Sequence, residues 1–286
     1  MQGGGGLTDW LSGLSILAIF FVSLAAMILA GAFGQFVRRI RKAGSGDEPD
    51  QSIAQEAVLL SGVLGLLGLL LAFSFGMVLN RYETRRELVT QEANAIGTAY
   101  LRTQLLDEPH RSRLSKLLIA YTDNRIKLAS TDLDQNPYVS TNDRLLVEIW
   151  AAVTAARESA LSRGVTTALL ITFNEVIDLD TERKIAWQLR MPGEVLFLLL
   201  IYLMLTAAIL GHSADGLRAK RAALVLFILL ALSISVMTDV NRPTTGRSRE
   251  SQEAMLMLRQ SLKSQPPEVF DKFAAPRPAV VQSNAR

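Results

Sequence analysis

The chain has 286 residues, 49% of them apolar, 20% charged and 7% aromatic, with no cysteine. Lys+Arg number 30 against 27 Asp+Glu, a formal net charge of +3, and the mean hydropathy is +0.24. The apolar fraction excludes a disordered polyampholyte, and the missing cysteines exclude disulfide scaffolds, thiol enzymes and Cys-based metal sites. So small a positive excess gives no argument for a nucleic-acid partner.

The apolar residues are concentrated in four runs. Residues 1–10, with the Gly3–Gly6 run, read as a flexible N-terminus. Residues 11–37 carry no charge and are long enough for a first transmembrane helix, which needs about 20 apolar residues. Ala30-Gly31-Ala32 fits a signal-peptide cleavage box, but residues 1–10 lack Lys and Arg and the apolar stretch is long for a signal, so a span is the better reading. A short basic link, 38–56, carries Arg38, Arg39, Arg41 and Lys42. Residues 57–79 form a second charge-free span. Residues 191–213 and 222–240 form the third and fourth, joined by a second basic link at 214–221. Helices alone satisfy their backbone groups within one segment in lipid. The expected fold is therefore an all-α membrane protein, with four transmembrane helices in two hairpins and a helical domain between spans two and three.

That domain, 80–190, reads as helical throughout. Tyr82, Val89, Ala93, Ile96 and Tyr100 recur at helical spacing, and this helix is expected to continue from span two. Asp107-Glu108-Pro109 supplies a stop and a new start. A helix over 110–129 follows, then a loop over 131–141 with Asn136-Pro137. A third helix runs from about 141 to 162, Gly164 interrupts, and a fourth leads to Met191-Pro192-Gly193. No run alternates with period two over a useful length; 165–172 comes nearest to a strand. The tail divides into a charged helical part, 241–264, and a proline-rich part, 265–286, expected to be disordered.

Catalytic and metal readings fail for want of partners. His110 and His212 have no second ligand at helical spacing and read as ordinary polar residues. Gly3–Gly6 is followed by no Lys-Ser/Thr pair, so no phosphate loop exists. No enzyme, no metal site and no cofactor is expected. Span two carries more information. Gly62, Gly65, Gly68, Ala72 and Gly76 recur at spacings of three and four, the pattern of close helix packing in lipid. The other choice of stripe, Leu69, Phe73 and Met77, ending at Asn80, is bulky and could line a pore as a constriction that gates by dewetting. Past the span, Arg81, Tyr82, Glu83, Arg85, Arg86 and Glu87 make a dense charged cluster. Glu175 and Asp178, before span three, are expected to salt-bridge toward Arg81–Arg86. Both clusters read as a charged vestibule or subunit contact.

Leu71-Ala72-Phe73-Ser74-Phe75-Gly76-Met77-Val78-Leu79-Asn80-Arg81-Tyr82-Glu83-Thr84-Arg85-Arg86-Glu87-Leu88-Val89 and Glu92-Ala93-Asn94-Ala95-Ile96-Gly97-Thr98-Ala99-Tyr100-Leu101-Arg102 resemble the bacterial bestrophin-like membrane family. Asn174-Glu175-Val176-Ile177-Asp178 and Asp239-Val240-Asn241-Arg242-Pro243, with Ser251-Gln252, resemble it too, so that the likeness covers 57–262. True bestrophins share the four spans, the helical domain between spans two and three, and a Tyr-acid-x-x-x-Glu element matching Tyr82, Glu83 and Glu87. The resemblance implies an oligomer, pentameric if bestrophin-like, that conducts inorganic ions, mainly anions, along the second helix in the cell (inner) membrane. Three departures stand out. Arg85-Arg86 replaces the usual Trp pair. The neck residues can align either with Gly68, Ala72 and Gly76 or with Leu69, Phe73 and Met77. No acidic run resembles a calcium clasp. The alternative function is a membrane sensor or scaffold that uses 80–190 for ligand or partner binding. The two basic links place 80–190 outside by the positive-inside rule, whereas the resemblance implies the cytoplasm, and the sequence leaves the side open.

Overall fold

The computed structural model describes residues 15–44, 51–130, 137–189, 191–242 and 250–272. The expectations for 1–10 and for the tail beyond 272 lie outside these residues. Ten helices are described: α1 (Ile16–Gly44), α2 (Gln51–Thr103), α3 (His110–Ser130), α4 (Tyr138–Ala155), α5 (Arg157–Ser162), α6 (Thr166–Gln188), α7 (Gly193–Ser213), α8 (Gly216–Val240), α9 (Glu253–Ser264) and α10 (Pro267–Asp271). No strand occurs among the described residues, 165–172 included. Among the described residues, four helices are long and apolar enough to cross a membrane.

The chain divides into two compact units, residues 1–85 with 186–250 and residues 86–185 with 251–286. In the first unit α1 packs along both α7 and α8. The core holds Ile19 and Met27 of α1, Leu67 of α2, Leu199 and Leu203 of α7, and Phe227 and Ala231 of α8. Small residues bring α1 and α7 together. A Cβ added at Gly34 would collide with the Ala208 carbonyl, and one at Gly211 with the Gly31 backbone. The Ala30-Gly31-Ala32 sequence, which resembles a cleavage box, thus contributes Gly31 to this crossing. His212 Nδ1 lies 3.3 Å from the Gly34 carbonyl oxygen, a polar contact at the helix end. Between α7 and α8, Ala214 and Asp215 are extended and Gly216 has φ +75°, a left-handed turn that glycine adopts without penalty. Arg38 pairs with Asp215 at this turn. Outward-facing side chains of the unit are large and apolar, such as Leu29 at 70% and Phe21 at 62% exposure. That is the surface expected where lipid rather than water is the solvent.

The second unit is a helical bundle around Ile96, Tyr100, Leu114, Leu118, Ile149, Phe173 and Val176, all buried. Helix α3 starts after a cis Glu108–Pro109 bond. The Glu108 carboxylate there accepts from the Ser112 backbone N–H and hydroxyl, which caps the first turn. The helix read from 141 to 162 is two helices, α4 and α5, broken at Ala156. Gly164 at φ +68° then separates α5 from α6. The C-terminal segment belongs to this bundle. Helix α9 buries Met255 and Leu262, and its Arg259 and Lys263 pair with Asp123 of α3. Within 265–272, read as the start of a disordered tail, Pro267–Asp271 form α10. Tyr100 donates to the Gln265 carbonyl at 2.7 Å, and Arg111 binds Asp271 at 2.6 Å. These two polar anchors offset the ordering cost that composition alone made look prohibitive.

Candidate functional site

Helix α2 buries one side and leaves the other unpartnered. Leu67, Ser74, Val78 and Arg85 are buried, whereas Gly62, Gly65, Leu69, Ala72, Phe73, Gly76 and Asn80 are exposed. At 3.6 residues per turn, these exposed positions fall within about 60° of one direction, opposite the buried row. The small and the bulky residues read from the sequence as alternative stripes are therefore interleaved on one face. Gly68 and Met77 lie at its two margins. A Cβ at Gly62, Gly65, Gly68 or Gly76 would meet nothing within 4 Å, so inside one chain these glycines pack against no helix. Phe73 is 69% exposed and Leu69 52%. Beside this face, Leu71, Phe75, Leu232 and Val236 line an apolar groove of about 430 Å³ between α2 and α8.

The polar residues that follow split by helical phase. Glu83 and Glu87 are exposed and continue the direction of Leu69 and Gly76. Arg85 points to the opposite side, into the first unit. Its Nε lies 3.2 Å from Glu250 Oε1, and its Nη2 donates at 3.0 Å to the Val240 carbonyl. Trp187 Nε1 donates to Glu250 Oε2 at 3.2 Å, and the Met191 N–H donates to Asn241 Oδ1 at 3.0 Å. The carboxylate on Arg85 is thus Glu250, not the Glu175 or Asp178 that the sequence suggested. Glu250 follows the Asp239–Pro243 motif, but nothing local in the chain marks it as a partner for a residue 165 positions earlier.

Glu175, Asp178 and Glu182 lie on the outward face of α6 in the second unit. With Gln91, Asn94 and Asn174 they line an open depression of about 680 Å³ that has no cationic side chain in its wall. The opposite face of α6 carries Asp180 and Arg183 into a buried network. Glu92 accepts from Tyr121 Oη at 2.7 Å, from Arg125 Nη2 at 2.9 Å and from Arg183 Nη1, and Arg125 Nε lies in ion-pair contact with it at 2.8 Å. Asp180 Oδ1 accepts from Arg125 Nη1 and Asn142 Nδ2, both at 2.9 Å, and its Oδ2 meets Lys184 at 2.8 Å. Burial alone would raise the Glu92 pKa, but the two guanidiniums override it and hold this carboxyl below its ordinary value. Burial, reinforced by Glu92, pushes the Tyr121 hydroxyl well above its ordinary value. Two carboxylates against two arginines leave the buried centre neutral, with each charge hydrogen-bonded, which is what keeps buried ions tolerable. None of this network was legible in the sequence, since the partners of Asp180 and Arg183 (Glu92, Tyr121, Arg125 and Asn142) sit on three other helices. Among the described residues no cluster of His, Asp and Glu could hold a metal ion.

Four membrane-length apolar helices, one of them carrying an unpartnered glycine-rich face into a charged helical bundle, define a helical membrane-protein fold with an extramembrane domain. The chain belongs to the bestrophin-like family: the family model described as Bestrophin-like domain matches residues 20–255. Two solved structures share the fold, both of a bacterial bestrophin homolog from Klebsiella pneumoniae. One carries a tryptophan-to-alanine change; its identity is 15% and its TM-score 0.65, over 88% of this chain and 98% of that one. The other carries a tyrosine-to-alanine change; its identity is 16% and its TM-score 0.62, over 87% and 98%. No curated protein matches the chain.

Proposed function

We propose that this protein is an oligomeric ion channel of the inner membrane in which α2, repeated around a central axis, lines the pore. The observation that carries this reading is the unpartnered face of α2. It combines glycines that touch nothing with Leu69, Phe73 and Asn80, and continues into Glu83. Hydrocarbon is a poor environment for Asn80 and Glu83. A water-filled axis shared with further copies suits them, and the same arrangement supplies neighbours for Gly62, Gly65, Gly68, Ala72 and Gly76. Family membership supports an oligomer, and the resemblance to bestrophins makes five the expected copy number and anions the expected ions. Leu69 and Phe73 are the bulky groups of the face and would form its hydrophobic constriction, with Met77 at the margin. The charged cluster from Arg81 to Glu87, with Tyr82 and Arg86, would flank the pore mouth.

The test is current through planar bilayers that hold the purified protein. Phe73→Ala and Leu69→Ala are expected to raise unit conductance, and Met77→Ala less so. A protein that is oligomeric and folded but silent under every ion gradient would refute the channel reading.

A further inference from the structure

We infer that the end of the first unit where α1 stops and α8 begins binds acidic phospholipid headgroups, through Arg39, Arg41, Arg218 and Arg221. Two separate segments supply these cations, and the fold brings them to one level. A Cβ at Gly31 would lie 3.2 Å from the Phe227 ring, so these two residues stand side by side. At 1.5 Å per residue, Arg39 and Arg41 lie about 12 and 15 Å further along α1, and Arg221 and Arg218 about 9 and 14 Å back along α8. The Arg38–Asp215 pair ties the two segments together at that depth and takes up the carboxylate of the second link. Arg39, Arg41, Arg218, Lys220 and Arg221 are exposed, and among the described residues no carboxylate lies within ion-pair distance of them.

The side chains one turn inward decide which anion these cations take. Phe33 and Phe36 of α1 and Leu224 and Val225 of α8 are exposed and apolar, and Ile40 is exposed between Arg39 and Arg41. The cations therefore rim a lipid-facing surface. That is where a phospholipid carries its phosphate while its acyl chains cover the apolar side chains below. Guanidiniums grip phosphate oxygens by paired, charge-assisted hydrogen bonds. A zwitterionic headgroup would bring its own ammonium into the same cluster and be repelled, whereas an acidic headgroup brings only negative charge. Inorganic phosphate has the charge but no chain to set against Phe36 and Leu224.

Native mass spectrometry and thermal melts of the purified full-length protein in neutral detergent test this, with phosphatidylglycerol, phosphatidylcholine or inorganic phosphate as the added probe. Phosphatidylglycerol is expected to stay bound and to raise the melting temperature, and the other two are not. The Arg39→Gln, Arg41→Gln pair and the Arg218→Gln, Arg221→Gln pair should each weaken its retention, by about fivefold per arginine at low salt. Equal retention of the two lipids by the unsubstituted protein would overturn the inference, and that comparison needs no variant to fold. Stabilisation by inorganic phosphate as large as that by phosphatidylglycerol would overturn a lipid as the ligand. Folded variants that keep the full preference would overturn the assignment to these four arginines. The first link also carries Asp47, Glu48, Asp50 and Glu56. A lipid preference that emerges only when these four are changed to amides would overturn the inference too, by assigning the arginines to acids of their own chain.

Discussion

Glu92 is fully buried, yet it keeps its charge because two guanidiniums and a phenol converge on two oxygens. Glu92→Gln would leave Arg125 and Arg183 buried against a single carboxylate, and a buried pair broken on one side costs about 3–5 kcal/mol. A thermal melt of the purified protein should register that loss. The pH dependence has a definite sign. The Glu92 pKa is lower folded than unfolded, so its contribution is complete above about pH 4.3 and is lost as pH falls through the depressed folded value. Tyr121 behaves in the opposite way. Its folded pKa is raised, so its contribution is complete below about pH 10 and is lost as pH rises through the folded value. Melts across pH should show both limbs, with Glu92→Gln flattening the acid one and Tyr121→Phe the alkaline one. Tyr121→Phe also removes a hydrogen bond to a charged acceptor, worth about 2 kcal/mol.

At the scale of elements, glycines of two kinds occupy the apolar helices. Gly34 and Gly211 sit where α1 and α7 touch backbone to backbone, and a methyl group there has nowhere to go. Gly34→Ala and Gly211→Ala are each expected to force the helices apart, seen as a lower yield of folded protein in detergent and a lower melting temperature. Gly62 and Gly65 of α2 face open space within the chain. Gly65→Ala should leave the fold of one chain intact, and any effect should appear in the oligomer or in conductance. Helix propensity favours that substitution by about 1 kcal/mol, so a fall in oligomer stability would report a lost contact between copies. The stripe on span two looked like the packing motif of the chain. The close crossing instead uses Gly31, Gly34 and Gly211, which are spaced less regularly along the sequence. Periodicity in one helix shows which residues share a face, but not which face a neighbour will take.

For the whole molecule, the first unit exposes large apolar side chains on α1, α2, α7 and α8. Such a surface needs lipid or detergent, and the protein is expected in the membrane fraction. Mass measurement in detergent should then give a multiple of 31.3 kDa, five-fold if the bestrophin likeness extends to stoichiometry. A single-chain mass under conditions that preserve the fold would contradict the shared-pore arrangement. The second unit draws its C-terminal helices from beyond span four. Truncation before Glu253 should therefore destabilise residues 86–185, by removing Met255 and Leu262 from the core and the cations from Asp123.

The helical class, the four apolar runs and the unbroken helix from span two into the extramembrane region are written in the chain, because they depend on local composition and on a period of 3.6 residues. The family likeness was legible for the same reason, since its motifs are contiguous. Helix phase also lies in the sequence, yet which side of α2 is buried was settled by Leu67, Val78 and Arg85 finding neighbours on other helices. The partners of buried charge were not legible at all. Glu250 meets Arg85, and Arg125 meets Glu92, across separations that no spacing rule encodes. A lone charge in a sequence reads as a solvated one. Only the fold takes it out of water, and it must then bring an opposite charge to meet it.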